Sequence, residues 1–235
     1  MSDHPVDHIS DDLAETARTA LRRHPERGSF DRDVVNAIID EAYIAHVGFV
    51  VDGQPRVLSM TYGRDGSSLY LHGAVGNAML RASEGAEICV TITLLDGLVL
   101  ARSAFHHSMN FRSVALVGMA EKVTDDDEKR RAFDVIVDHV CPGRSTVARS
   151  PSDAEVRTTM VLRLPITEGS AKVRTGGPLE EPEDLELGVW AGVVPLATVA
   201  GRPQQDPAQT HPGLASPSTQ TLASKGRSAS LAGVR

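Results

Sequence analysis

The sequence predicts a mainly β, α+β fold: an antiparallel sheet closed into a small barrel, with helices inserted between its strands. Three observations predict it. Runs rich in β-branched residues follow one another as hairpins, separated by the two-residue turn signals Asp52-Gly53, Asp65-Gly66 and Asp96-Gly97. Helical periodicity appears only in isolated stretches between those runs. No G-x-G-x-x-G follows any strand, which argues against a parallel dinucleotide-binding sheet.

Taken in order, residues 1–28 are polar and charged and form an extension, partly helical at most. Over 32–43 the spacing of Val34, Val35, Ile38, Ile39 and Ala42 puts one apolar stripe on a helix, with Asp31 or Asp33 as its cap. Ile44 to Val51 is the first strand, and the return strand runs from Arg56 to Gly63. Ser68 to Ala74 is the third strand, and a short helix fits Asn77 to Ser83. Ile88 to Leu95 reads as a buried strand that turns at Asp96-Gly97 into Leu98 to Ser103.

Residues 104–111 read as a loop or bulge, after which Val114 to Val123 continues the sheet. Thr124 and Asp127 resemble a capping box. They open a helix with Phe133, Ile136, Val137 and Val140 on one face, stopped by Pro142-Gly143. A short helix near Pro151 to Val156, a strand from Thr159 to Leu164 and another over Ala171 to Arg174 complete the pattern. The domain spans 29–200. From Gly201 the chain is Pro, Ser, Ala, Gln and Gly, a composition too poor in apolar residues for a core, so 201–235 is expected to be a disordered tail.

The formal charge of −7 argues against nucleic-acid binding, which calls for clustered Lys and Arg on one face. The N-terminus has no basic flank with an apolar run, and no apolar stretch nears the roughly 20 residues that cross a bilayer. A soluble, cytoplasmic protein is expected, with no membrane partner. Cys89 and Cys141 form no C-x-x-C and read as reduced structural thiols.

Nine histidines raise the question of a metal, but no H-E-x-x-H or zinc-type spacing occurs, and no metal site is expected. His106 and His107 are adjacent, so on a strand they point to opposite faces. No G-x-S-x-G elbow is present, and Ser113 has no identifiable carboxylate to orient a nearby histidine. Two segments remain. In 56–62, Ser59 and Thr61 alternate with Leu58 and Met60. In Leu69-Tyr70-Leu71-His72-Gly73, His72 ends an apolar strand.

These segments also resemble, in order along residues 20–200, the pyridoxamine 5'-phosphate oxidase-like superfamily of FMN-binding split β-barrels, and within it the nitroimidazole reductase-like branch. The resemblance rests on Arg27-Gly28, on Asp52 to Val57, on Leu69 to Gly73, and on the long run from Ala101 to Val114 with Gly118. It continues through Pro142-Gly143-Arg144, Ala171 to Gly176 and Trp190 to Leu196. It implies an antiparallel split β-barrel with peripheral helices and a homodimer with flavin at the subunit interface. FMN is the implied cofactor, with FAD as the alternative, while some relatives take a deazaflavin or haem.

The resemblance further implies that Val57, Leu58, Ser59, Met60 and Thr61 lie along the flavin ring, with His72 beside it as the proton-delivering catalytic residue. Leu58, Met60 and Met79 would give apolar cover, and Trp190 would stack from the other chain. At the phosphate position this chain has the neutral Asn77, where relatives often place Arg or Lys. Arg56, Lys172 and Arg174 are then the candidate cations, with the helix N-terminus at Asn77 as a further donor. The expected function is an FMN-dependent reductase of a small electrophilic substrate such as a nitro compound. A non-catalytic flavin-binding protein and a haem-binding barrel are the alternatives. The basic substrate site of the vitamin B6 oxidases is not evident.

Overall fold

A computed structural model describes residues 12–201, 204 and 206–208. The expected tail therefore lies mostly outside the described residues, as does the extension before residue 12. After the short β1 (Gly28–Ser29), α1 (Arg32–Glu41) starts at Asp31, whose side chain accepts from the backbone N–H of Asp33 and Val34. This helix buries Val35, Ile38 and Ile39. The hairpin of β2 (Ala45–Val51) and β3 (Gln54–Met60) turns at Asp52 and Gly53, both at positive φ, the geometry that Asp-Gly favours. β4 (Tyr62–Asp65), β5 (Ser68–Ala74) and α2 (Ala78–Ser83) follow.

Next come β6 (Glu87–Leu100), β7 (Ser108–Met119) and β8 (Glu121–Lys122), then α3 (Asp126–Val140) and α4 (Asp153–Thr158). β9 (Thr159–Pro165), β10 (Gly169–Arg174) and β11 (Gly192–Pro195) end the order. All the strand pairings are antiparallel. They form a seven-stranded sheet, β1-β10-β7-β6-β2-β3 with β11 on β6, and a four-stranded sheet, β4-β5-β9-β8.

The chain passes between the sheets at Thr61, so the single return strand expected over 56–63 is two strands. The barrel is accordingly split into two open sheets rather than closed as one ladder. Val47, Val90, Ile92, Val114 and Leu116 from one sheet meet Leu69, Leu71, Leu162 and Leu164 from the other, with Ile38 and Ile39 of α1 in the same core. Each such side chain contributes about 1.5–3 kcal/mol when fully buried. Leu13 belongs to that core and Ala14 bridges Glu168, so residues 12–27 pack onto the barrel.

α3 covers the outside of the small sheet. Its Ala132 and Ile136 pack on Tyr70, Val123 and Val161. It lies so close to β4 that a Cβ on Gly63 would stand 2.9 Å from the Ile136 Cα. Among the described residues the outer face of the large sheet has no such cover: His46, Val57, Ser59, Cys89 and Thr93 are all exposed on it.

Other elements differ from the sequence reading. Asp96-Gly97 makes no hairpin, since β6 runs straight through with a bulge between Leu95 and Gly97. Gly97 serves a close approach instead, because a Cβ there would meet Val193 and the Val194 carbonyl of β11 at 3.1 Å. Residues 104–106 form a 3-10 turn and β7 already starts at Ser108. The cap of α3 is Asp125, which accepts from the Glu128 N–H, rather than Thr124. The capping box belongs to α4, between Ser152 and Glu155.

Candidate functional site

β3 is an edge strand. It pairs with β2 on one side, and among the described residues its other edge carries backbone donors and acceptors with no strand partner. Gln54 to Ser59 are exposed throughout, and the apolar Val57 and Leu58 are 64% and 48% exposed. Exposed apolar groups on an unprotected edge mark a surface that something else covers. Ser59 sits opposite His46 of β2, and His46 opposite Thr91 of β6.

At the corner between the sheets, Thr61 is exposed. Tyr62 pairs with Leu71, so the same register continued by one residue sets Thr61 against His72. His72 lies edge-on to Phe133 of α3, and its Nδ1 is buried without a hydrogen-bond partner among the described residues. Burial pushes the imidazole pKa below its usual value, which favours the neutral ring. Ser59 thus lies on the bare face of the large sheet, Thr61 at the corner, and His72 under α3 on the outer face of the small sheet.

The other expected residues are more scattered. Asn77 caps α2, its Oδ1 accepting from the Met79 and Leu80 N–H groups. The donors that were expected to face an anion are therefore taken by the cap itself. Met79 is 2% exposed and packs in the main core, where Ser83 Oγ reaches its Sδ, so it offers no surface to a ring edge. Met60 is half-buried against the same core.

Arg56, on β3 opposite Phe49, pairs with no carboxylate among the described residues. Lys172 is half-buried on β10, in register with Ser113, which pairs with Thr93. It stands four strands from β3, about 19 Å along the sheet. Arg174 is buried at 6% exposure, and its guanidinium donates to Asn110 Oδ1 and to the carbonyls of Gly176 and Gly177. Those bonds tie down the turn after β10. Trp190 is 63% exposed and rests on the backbone of Gly192, where a Cβ would come within 2.9 Å of its ring. His106 and His107 lie in the turn after β6, and His107 Nδ1 is 3.0 Å from the Ser103 carbonyl. β6 runs eight residues past Ile92, the last of its residues to pair with β2, so that turn lies about 26 Å further along the strand.

The structure adds a cavity that the sequence reading missed. It has a volume of about 710 Å³ and opens beside Ser59 and His46, with residues 196–200 along one side. Its polar wall is a three-residue cluster. Arg112 of β7 donates from Nη1 and Nη2 to the two carboxylate oxygens of Glu41, at 2.5 and 2.8 Å, and from Nε and Nη2 to those of Asp96, at 2.9 and 2.8 Å. The two carboxylates hold the guanidinium pKa well above its usual value. One signal could have found it: Arg112 is in phase with the buried Val114 and Leu116, so its side chain heads inward and needs carboxylate partners. Tyr43 and Cys141 line the same cavity, and burial raises the Tyr43 pKa. No group of three or more metal-ligating side chains is assembled among the described residues. No helix among them is long and apolar enough to cross a membrane.

Residues 31–173 match the family model described as pyridoxamine 5'-phosphate oxidase. The flavocytochrome Anf3 from Azotobacter vinelandii is 37% identical, with a TM-score of 0.82, over 92% of this chain and 99% of that one. The FAD and haem binding protein from Mycobacterium smegmatis is 35% identical, with a TM-score of 0.77, over 85% of this chain and 97% of that one. A candidate 5-nitroimidazole antibiotic resistance protein from Bacteroides thetaiotaomicron is 29% identical, with a TM-score of 0.52, over 62% of this chain and 86% of that one. No curated protein matches.

Proposed function

The chain belongs to the pyridoxamine 5'-phosphate oxidase family, and from that footing we propose that it is a redox protein that binds a flavin and a haem. The observation that carries the reading is the near-complete match, at 37% and 35% identity, to a flavocytochrome and to an FAD and haem binding protein. FAD is the flavin proposed, ahead of FMN, since it is the one named for the second of these. Reduction of a nitro compound has narrower support, from a likeness over 62% of the chain.

The residues present offer partners for a flavin. The free edge of β3 over Val57–Thr61 offers main-chain donors and acceptors to the polar edge of a flavin ring, with the hydroxyls of Ser59 and Thr61 alongside. Arg56, on β3 itself, is the candidate cation for a phosphate, since Lys172 stands four strands away and Arg174 is committed to its turn. A bound flavin supplies two-electron and one-electron transfer; haem supplies one-electron transfer.

The state of His72 favours one role over another. A proton donor at neutral pH needs a charged imidazole, and burial works against that form. An iron ligand needs the neutral ring, which burial favours. We propose His72 as the iron ligand to test, because its buried Nδ1 has no hydrogen-bond partner among the described residues. A second copy of the chain is the proposed cover for the bare face of the large sheet, where Val50 and Val57 are exposed.

The test is the absorption spectrum of the purified protein and of a His72→Ala variant. The reading expects flavin bands with a Soret band in the wild type, and loss of the Soret band with flavin retained in the variant. An unchanged Soret band in the variant would remove His72 from the iron.

A further inference from the structure

We propose that the cavity bounded by Glu41, Asp96 and Arg112 binds an apolar molecule carrying a single positive charge, such as an arylalkyl amine. The proposal builds on the flavin reading, because Ser59 belongs both to the β3 strip and to the cavity wall. A ligand held there lies next to the strand assigned to the flavin.

Charge is the first argument. Among the described residues, the charged side chains lining the cavity are Glu41, Asp96 and Arg112, two carboxylates against one guanidinium. The cavity therefore carries one net negative charge. Arg112 spends its Nε and both terminal nitrogens on the two carboxylates. It has little left to offer an anion, so a phosphate or a carboxylate ligand finds no free cation here. Each carboxylate oxygen, by contrast, keeps a second acceptor direction for a donor such as an ammonium group.

The apolar lining is the second argument. Ile44, Leu95, Val140 and Val199 are 51%, 45%, 41% and 79% exposed, and all four line this one cavity. Four large apolar side chains left in water around a concave surface are the usual lining of a small-molecule site. Leu196 closes the ring, its N–H donating to the Asp96 carbonyl at 3.0 Å, so the segment after β11 is tied to the same cluster. A long apolar body with a cationic end matches both halves of this surface.

The experiment is calorimetric titration of the purified full chain with 4-phenylbutylamine and with 4-phenylbutyrate, two probes of one skeleton and opposite charge. The amine is expected to bind at least about tenfold more tightly than the carboxylate, the effect of one partly screened charge contact. Ile44→Lys, at an exposed position on the rim, is expected to weaken the amine about tenfold and narrow or reverse the preference. Asp96→Asn is expected to weaken it as well. Equal affinities, a preference for the carboxylate, no binding of either at millimolar concentration, or indifference to Ile44→Lys would each overturn the proposal. Flavin content is read on the same samples. Amine selectivity in a chain that carries no flavin would remove the flavin reading and leave the cavity assignment. Flavin without amine selectivity would do the reverse.

Discussion

His72 stands edge-on against Phe133, their ring centroids 6.3 Å apart and their planes at 70°. One sits at the end of β5 and the other on α3, so the contact joins the small sheet to the helix that covers it. Because the imidazole has no partner for its buried Nδ1 among the described residues, charging it in place is unfavourable.

A pH dependence follows. Burial depresses the folded-state pKa of His72 below the ordinary 6.5. The unfolded chain then binds the proton more readily, so this residue's contribution is fully present above pH 6.5 and is lost as the pH falls through the depressed value. In the cofactor-free protein, thermal scans should show wild type losing stability relative to His72→Gln as the pH drops below 6.5. Parallel curves for the two proteins would contradict the assignment.

The backbone of α3 rests on Gly63, and a methyl group there has nowhere to go. Gly63→Ala should destabilise the chain by about 1–3 kcal/mol, read from the urea midpoint. Gly66→Ala differs in cause: a Cβ at Gly66 meets nothing within 4 Å, and the cost comes from its positive φ alone. That variant should lose about 1 kcal/mol.

Arg112 is the cation between Glu41 and Asp96, with all three side chains half-buried. Arg112→Met strands two carboxylates on one wall. It should cost about 2–4 kcal/mol, less than a fully buried pair because water reaches the cluster. In Arg112→Met with Glu41→Gln part of that loss should return, measured as a non-additive double-mutant cycle.

The edge of β3 carries the assembly prediction. Val57→Lys places a charge on a strand whose apolar side chains are otherwise open to solvent. Light scattering should show a dimer for wild type and a monomer for the variant, with far-ultraviolet circular dichroism unchanged. A monomeric wild type would remove the second copy from the flavin site.

Much of the fold was legible because its signals are local. The period-two runs and Asp-Gly turns gave β2 and β5 to within a few residues, with β3 and β4 read as one strand, and Asp31, one of two expected caps, does cap α1. What escaped the sequence depends on distant partners. Asp96-Gly97 carries a turn signature, yet β11, about a hundred residues later, pairs along it and keeps the strand straight. Lys172 and Arg174 are both cations on one strand. Only the fold shows that Lys172 makes no ion pair among the described residues while Arg174 is buried by the carbonyls of Gly176 and Gly177. The Glu41–Asp96–Arg112 cavity joins a helix end to two strands, which no spacing rule connects.

The measurement that bears most directly on the central proposal is mass spectrometry of the small molecules released when the natively purified chain is denatured. The expected result is FAD together with haem, each in amounts comparable to the chain. A preparation that releases neither, from protein whose circular dichroism shows it folded, would contradict the flavin and haem reading.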